Sequence, residues 1–296
     1  MTIPPHRDGA GRRAALAVRM VVLLAFAVFF VVPLAWLVLA PTKTDYELLT
    51  ESPFAVGSFH NVGIAWAQLN GFSNHIYRRW MENSLLYSLS ATAITLATAI
   101  PAGYGLAFGT FRGRKLILKL TLVVMLMPAS TLVLPIFLEL NALRLIGSIF
   151  SIILPFSFFP FGVYLAYIYY STALPPGLLD AARVDGCGEW AAFRRIGIPL
   201  ARPVVALIFF FSFVANWNNY FLPFLTEPGR REPIQVGLTE LLSSVPAFNP
   251  TAAGVTTIEL PTLALATVIA VTPVLIIFLF SQRFLVSGLT AGGTKA

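Results

Sequence analysis

Charge is scarce in this sequence. Of its 296 residues only 11 % are Asp, Glu, Lys or Arg, while 57 % are hydrophobic. Soluble domains carry roughly 25 % charge. So few charges cannot cover the surface of a soluble protein of this length, which excludes an ordinary globular enzyme and leaves a polytopic membrane protein. Cysteine is almost absent: Cys187 alone allows neither a disulfide framework nor a zinc site built on several thiolates. His6, His60 and His75 are scattered and show no H-x-x-x-H spacing, so no metal site is expected. The chain also lacks G-x-x-x-x-G-K-[ST], and has no Gly-Lys dipeptide at all, so nothing cradles a nucleotide's β- and γ-phosphates. No H-E-x-x-H, G-x-S-x-G or Cys–His arrangement occurs either. No catalytic residue and no bound cofactor are expected on this chain, and an intramembrane enzyme ranks last among its readings.

Apolar length is what it has in quantity. A helix needs about 20 predominantly apolar residues to cross a bilayer. Runs of that kind lie at about 20–40, 84–111, 117–138, 145–170, 203–226 and 260–282. Long uninterrupted runs satisfy their backbone as helices and do not resemble the alternating strands of a barrel. The expectation is one all-α transmembrane domain of six helices over residues 1–296. Residues 1–19 form a tail, 171–202 a loop on the same side, and 227–259 a loop on the opposite side. Arg12, Arg13 and Arg19 flank the first run as in a secretory signal. That run exceeds the roughly 7–15 apolar residues of such a signal, so it reads as an uncleaved anchor.

Alternate loops differ sharply in charge. One side holds Arg7, Arg12, Arg13, Arg19, Arg112, Arg114, Lys115, Lys119, Arg183, Arg194, Arg195, Arg202, Arg283 and Lys295. The other holds Lys43, Arg78, Arg79, Arg144, Arg230 and Arg231. With Asp8, Asp180, Asp185 and Glu189 on the first side and the other 9 acids on the second, the balance is +10 against −3. The positive-inside rule makes the first side cytoplasmic, with both termini inside. The formal +7 therefore reports topology first and attraction to anionic lipid second, and nucleic acid is not an expected partner.

Proline interrupts nearly every run, at Pro33, Pro101, Pro128, Pro135, Pro155, Pro160, Pro223 and Pro273. These fit kinked packing as well as a bundle that opens and closes around a path. Ala91, Ala93, Ala97, Ala99, Ala102, Gly103 and Gly105 make the second run a close-packing helix. The fifth carries the densest polar cluster, Asn216, Trp217, Asn218, Asn219 and Tyr220. At 1.5 Å per residue Asn216 lies about 20 Å beyond Pro203, past the midplane. Amides and aromatic faces at that depth suit a neutral, hydroxyl-rich solute such as a sugar; the competing reading is an aromatic belt at the outer interface. No acid or base sits in the middle of a run, which argues against coupling to protons or sodium through a carboxylate relay.

Between the fourth and fifth runs stands L-P-P-G-L-L-D-A-A-R-V-D-G-C-G-E-W-A-A-F-R-R-I-G-I-P-L-A-R-P, residues 174–203. Pro175 and Pro176 stop one helix and open another. Leu178, Ala182 and Asp185 recur at helical spacing until Gly186 breaks it. Trp190, Phe193 and Ile196 then line one side of a second short helix ending at Pro199. The pair predicts a helix–turn–helix across the basic face, and by itself it also fits an interfacial helix pair resting on headgroups.

Asp180-Ala181-Ala182, three residues, Gly186, nine residues and Ile196-Gly197-Ile198-Pro199 resemble the E-A-A-x3-G-x9-I-x-L-P loop of permease subunits of bacterial ATP-binding-cassette importers. Asp180 stands where Glu is usual, Ile198 where Leu is usual, and Gly188 where Ser or Asn commonly caps the second helix, a weaker cap. The likeness extends over nearly the whole chain to sugar permeases of the maltose and glycerol-phosphate type. Asn83-Ser84 opens the second span, Trp217-Asn218 lies in the fifth, and the tail reads Gln282-Arg283-Phe284…Gly288-Leu289-Thr290-Ala291-Gly292.

The resemblance implies a permease in the bacterial cytoplasmic (inner) membrane. Its implied partners are a second homologous permease, a dimeric ATPase that holds ATP and Mg, and an extracytoplasmic solute-binding protein. Asp180, Ala181, Ala182, Asp185, Gly186, Trp190, Phe193, Ile196 and Pro199 would form the coupling helix docked on the ATPase. Val245, Pro246, Ala247, Phe248, Asn249 and Pro250 would form the tip that meets the binding protein, unless the outer loop is disordered. The expected solute is a mono- or oligosaccharide, with a glycerol-phosphate or polyol as the alternative. From another class, a self-sufficient secondary carrier or channel would leave the cytoplasmic loop merely interfacial.

Overall fold

The computed structural model describes residues 9–227, 229, 231–252, 254 and 258–291. His6, Arg7, Asp8, Arg230, Gly292 and Lys295, which entered the expectations above, lie outside them. Among the described residues every regular element is helical. In chain order they are α1 (Gly9–Leu39), α2 (Asp45–Thr50), α3 (Phe59–Gly71), α4 (Ile76–Phe108), α5 (Arg114–Met125), α6 (Ala129–Ala142), α7 (Phe150–Ser157) and α8 (Pro160–Ala173). There follow α9 (Pro176–Val184), α10 (Glu189–Ala192), α11 (Ile198–Leu200), α12 (Arg202–Trp217), α13 (Phe221–Thr226), α14 (Ile234–Ser243) and α15 (Leu260–Ala291).

Four stretches are long and apolar enough to cross a bilayer: Arg13–Thr42, Ile76–Phe108, Phe150–Ala173 and Leu260–Phe284. Three of the expected runs are broken within the chain. The run at 117–138 is not one helix, because α5 and α6 meet at 106°. Pro128 supplies no N–H and drives Met127 away from helical geometry; it stands extended, φ −63° and ψ 129°, ahead of α6. The run at 145–170 begins only at Phe150 and is interrupted at Phe158–Phe159 for the same reason, before Pro160. The run at 203–226 divides at Asn218–Tyr220, between α12 and α13. Pro101 and Pro273, by contrast, lie inside the unbroken helices α4 and α15. The second run starts two turns before its expected boundary, at Ile76, so Asn83-Ser84 falls inside α4.

Two compact units emerge. The first takes the described residues up to Gly71 and those from Leu241 to Val268. Its α1 is exposed along the whole of 13–34, which suits a helix apolar on every side and at home in hydrocarbon. Beyond α1 a one-turn 3-10 helix (Ala40–Thr42) leads into a tight polar knot. Thr44 caps α2 in a capping box with Glu47. Thr42 Oγ1 accepts from the Gly57 amide at 2.9 Å, and the buried Lys43 ammonium donates to the Ser52 carbonyl at 2.6 Å. Asp45 Oδ1 accepts the Leu260 amide at 2.9 Å at the start of α15.

The second unit takes Phe72 to Glu240 and the described residues from Ile269 on, and α4 is its axis. Lipid tails are as apolar as leucine, so burial alone cannot choose neighbours; close approach and hydrogen bonds do. The small-residue face of α4 meets α8 where a Cβ on Gly103 would lie 2.3 Å from the Ala166 Cβ and 2.8 Å from that residue's carbonyl carbon. Around this contact Ile100, Tyr104, Ala166, Tyr170, Val204 and Ile208 form one core of α4, α8 and α12. A buried ladder of hydroxyls tightens it. Ser212 Oγ lies 3.3 Å from both Thr92 Oγ1 and Thr95 Oγ1, and Thr95 donates at 2.8 Å to the Ser157 carbonyl at the end of α7. That carbonyl ends a helix stopped by Pro160, and the threonine supplies the donor that the interrupted ladder lacks.

Candidate functional site

The helix–turn–helix expected between the fourth and fifth runs is present. Helix α9 starts with Pro176 at its first position, where the missing N–H costs nothing. It ends in a Schellman motif: the Cys187 amide donates to Ala182 O at 2.9 Å and the Gly186 amide to Arg183 O at 3.0 Å. Gly186 itself has φ +79°, a conformation that costs a side-chain-bearing residue strain. Arg183 then staples the corner, donating from Nη1 to Asp180 Oδ1 at 2.9 Å and from Nε to Glu189 Oε1 at 2.8 Å. Glu189 first and Asp180 second raise the guanidinium's already high pKa. Gly188 caps α10 without a side-chain bond, so the Arg183 bridge does the fastening there.

The second half of the motif is less regular than expected. A π-helical turn, Phe193–Gly197, intervenes between α10 and α11, and the chain bends by 73° into α12. Tyr170 Oη donates to the Gly197 carbonyl at 3.3 Å and Tyr169 Oη to the Leu200 carbonyl at 2.7 Å, so α8 holds this irregular backbone.

The expected coupling residues divide between two faces. Phe193 and Ala182 are buried; the Phe193 ring packs 4.9 Å from Tyr104, and Ile196 packs half-buried on the same core. Asp180, Ala181, Asp185, Gly186, Trp190 and Pro199 are exposed. Sequence reasoning overlooked Val184, which is 88 % exposed at the corner beside Gly186, and Arg183. Arg183 was readable from its positions three after Asp180 and six before Glu189. Val184 had no signal, since its exposure follows from which face of α9 the core takes.

The polar cluster of the fifth run divides too. Asn216 Nδ2 turns back on its own helix, to the Ser212 carbonyl at 2.8 Å. Trp217 is buried, stacked on Phe213 at 5.5 Å, and its Nε1 donates at 3.1 Å to the Ala270 carbonyl, three residues before Pro273. Asn218, Asn219 and Tyr220 occupy the break. Asn218 is exposed, with its Oδ1 3.4 Å from Gln235 Nε2. Asn219 Nδ2 is buried and unbonded, and Tyr220 stacks 5.5 Å from Phe224.

The described part of the loop after α13 is ordered by the early turns of α4. Asn83 donates to Glu232 O at 3.0 Å, Ser84 Oγ accepts from the Ile234 amide at 2.7 Å, and Tyr87 donates to Arg231 O at 2.9 Å. The Asn83-Ser84 pair thus anchors a strap. Glu227, 1 % exposed, accepts from Ser151 Oγ at 2.6 Å. Burial raises its carboxyl pKa, against the Ser151 hydrogen bond and the Arg231 charge. A raised native pKa stabilises the fold at low pH, and that contribution is lost as pH climbs through the raised value. Glu227→Gln is therefore expected to flatten the decline of the melting midpoint in detergent between mildly acidic and neutral pH. Parallel slopes for the two proteins would contradict this. In the first unit, Val245 is fully buried, while Ala247, Phe248 and Pro250 are exposed and Pro246 is half-buried. Asn249 fixes the tip, donating to Ser243 O at 2.8 Å and accepting from Thr251 Oγ1 at 2.6 Å.

The profile of the binding-protein-dependent transport system inner membrane component family matches residues 99–291. The arabinooligosaccharides transport system permease protein AraQ of Bacillus subtilis is 35 % identical over 92 % of this chain and 93 % of its own length. The diacetylchitobiose uptake system permease protein NgcG of Streptomyces coelicolor is 27 % identical over 93 % of this chain and 88 % of its own. A chain in the crystal structure of a bacterial ABC transporter that imports the acidic polysaccharide alginate superposes with a TM-score of 0.78 over 95 % of this chain and 99 % of its own. At 21 % identity that likeness speaks for the fold.

Proposed function

Because this chain belongs to the family of binding-protein-dependent transport system inner membrane components, we propose that it is the permease subunit of an ATP-driven importer for an oligosaccharide. The observation that carries the coupling is the Gly186 corner. A Schellman-closed, Arg183-stapled helix–turn–helix presents Val184, Asp185 and Gly186 outward while its inner face is continuous with the core of α4, α8 and α12. A push on that corner is transmitted to packed helices rather than absorbed by a loose loop.

In this reading the chain crosses the membrane six times. The broken stretches α5–α6 and α12–α13 each make one crossing, both termini are cytoplasmic, and 171–202 faces the ATPase. ATP and Mg belong to that partner, and closing of its dimer rocks the spans from inward- to outward-facing. A second, homologous permease completes the path and an external binding protein delivers the solute, with Phe248 at the contact. Asn218, Asn219 and Tyr220, at the helix break, contribute hydrogen-bonding and stacking surface on this chain's side. The absence of charge from the middle of the spans favours a neutral sugar over a glycerol-phosphate, whose phosphate calls for Arg or helix N-termini. The arabinooligosaccharides in the name of AraQ and the diacetylchitobiose in that of NgcG are in keeping with an oligosaccharide.

The test is reconstitution of the chain with its co-purifying ATPase and binding protein. Import should require ATP and a binding protein loaded with sugar. Uptake that persists after ATP depletion would assign the chain to the secondary carriers instead.

A further inference from the structure

We propose that the cleft between α12 and α15, where Arg202 opens α12 and Arg283 closes the apolar stretch of α15, is a binding site for an anionic phospholipid. Its phosphate would sit between Arg202 and Arg283 and one acyl chain along Val205, Phe209, Ile277 and Phe280. The inference rests on the orientation proposed above, which places both arginines on the cytoplasmic side.

The two helices touch through the Trp217–Ala270 hydrogen bond, well away from the arginines, and through the Phe210 and Phe278 rings, 5.9 Å apart, beside Phe209 and Ile277. Toward Arg202 and Arg283 they part around a cleft of about 650 Å³ lined by apolar side chains, with Ser281 and the two arginines as its polar members. No acidic residue lines it, and neither guanidinium takes part in an ion pair among the described residues. Arg283 lies over the Phe284 ring, 4.8 Å from its centroid, which keeps the guanidinium near the rim of the cleft.

Each arginine is the first charge beyond an apolar run, so both stand at the depth where phosphates lie. The seven steps from Arg202 to Phe209 carry the apolar wall about 10 Å further into the membrane. An apolar void of this size between membrane helices would forfeit dispersion contacts along its whole lining, and water has too few polar partners there to fill it. The occupant must therefore pair an apolar tail with an anionic head that accepts from two guanidiniums. A phospholipid whose phosphate is not neutralised by a choline has both features.

The full-length chain, stripped of lipid in detergent, is titrated with phosphatidylglycerol or phosphatidylcholine and read by native mass spectrometry. Two arginines at the surface should give phosphatidylglycerol a preference of roughly thirtyfold. Arg202→Gln with Arg283→Gln should bring that ratio close to one. Arg112→Gln with Lys119→Gln, which removes equal charge elsewhere on the basic side, should preserve it. A wild-type chain without preference, or a double arginine variant that keeps it, overturns the proposal. A photocrosslinking amino acid at Ala206 should capture phospholipid in membranes that contain the assembled complex; capture of a partner subunit would also overturn it. The titration needs neither ATPase nor solute, so a failure here leaves the importer reading standing, and the reverse.

Discussion

Gly186→Val is expected to lower sugar-stimulated ATP hydrolysis by the assembled transporter by roughly tenfold or more, while the chain still inserts and assembles. The residue has φ +79°, and a Cβ built there meets nothing within 4 Å. No neighbour is struck, so the damage is confined to the backbone. A β-branched side chain in left-handed geometry costs about 1–3 kcal/mol. The corner relieves that strain by leaving the Schellman geometry, which frees the Cys187 and Gly186 amides and tilts Val184 and Asp185 away from their present direction. Asparagine tolerates left-handed geometry, so Gly186→Asn should recover most of the stimulation. Asp180→Lys should act in the same direction by setting a cation beside Arg183 in place of its 2.9 Å partner. Unchanged coupling in Gly186→Val would remove this corner from the path between ATPase and membrane.

Gly103→Leu is expected to be the more destructive substitution, because here the neighbours cannot yield. A Cβ would meet the Ala166 carbonyl carbon and the Tyr167 amide nitrogen, both at 2.8 Å, and those are backbone atoms in the middle of α8. Helices α4 and α8 must separate, and the separation opens the packing of Tyr104 against Tyr170, at 5.3 Å, and against Phe193, at 4.9 Å. Overpacking a core commonly costs about 1–3 kcal/mol and occasionally more. A contact within the core that joins α4, α8 and α12 to the base of the helix–turn–helix belongs at the upper end. The readouts are the amount of chain in the membrane and its melting midpoint in detergent. Gly103→Ala should lower the midpoint less than Gly103→Leu, and Ala166→Gly should restore part of that loss in the double variant, the coupling expected of touching positions. Wild-type stability in Gly103→Leu would show that α4 and α8 do not pack this closely.

Much of this arrangement was legible in composition and spacing. The small-residue face of α4 announced a close contact, and Gly186 announced the end of α9 at the right place. Proline was harder to read. Pro128 ends a helix and redirects the chain by 106°, whereas Pro101 sits within a continuous α4. The residue is the same and the outcome is set by what packs around it: α4 is held on either side of Pro101 by α8 and α12, while α5 has no buried residue to hold it in line. The amides were ambiguous for a related reason. Asn216 satisfies itself on the Ser212 carbonyl one turn back, and Asn218 does not, because the helix ends between them. The hydroxyls of Thr92, Thr95 and Ser212 gave no signal at all, since such side chains ordinarily bond their own helix and only the three-dimensional neighbour reveals another use.

That trio has a mechanical consequence. Ser212 stands at the same 3.3 Å from a hydroxyl on either side, Thr92 and Thr95; the Thr95 hydrogen goes to the Ser157 carbonyl, so Thr95 receives from Ser212, whereas Ser212 and Thr92 can each give or receive. A small rotation of one C–O bond exchanges one partner for the other, so α12 can turn or slide a fraction of a turn along α4 without stranding a polar atom in hydrocarbon. An amide–carbonyl pair in the same place would be a weld. A hydroxyl that can turn between two partners makes a bearing, set where two spans of a pump would have to move past each other.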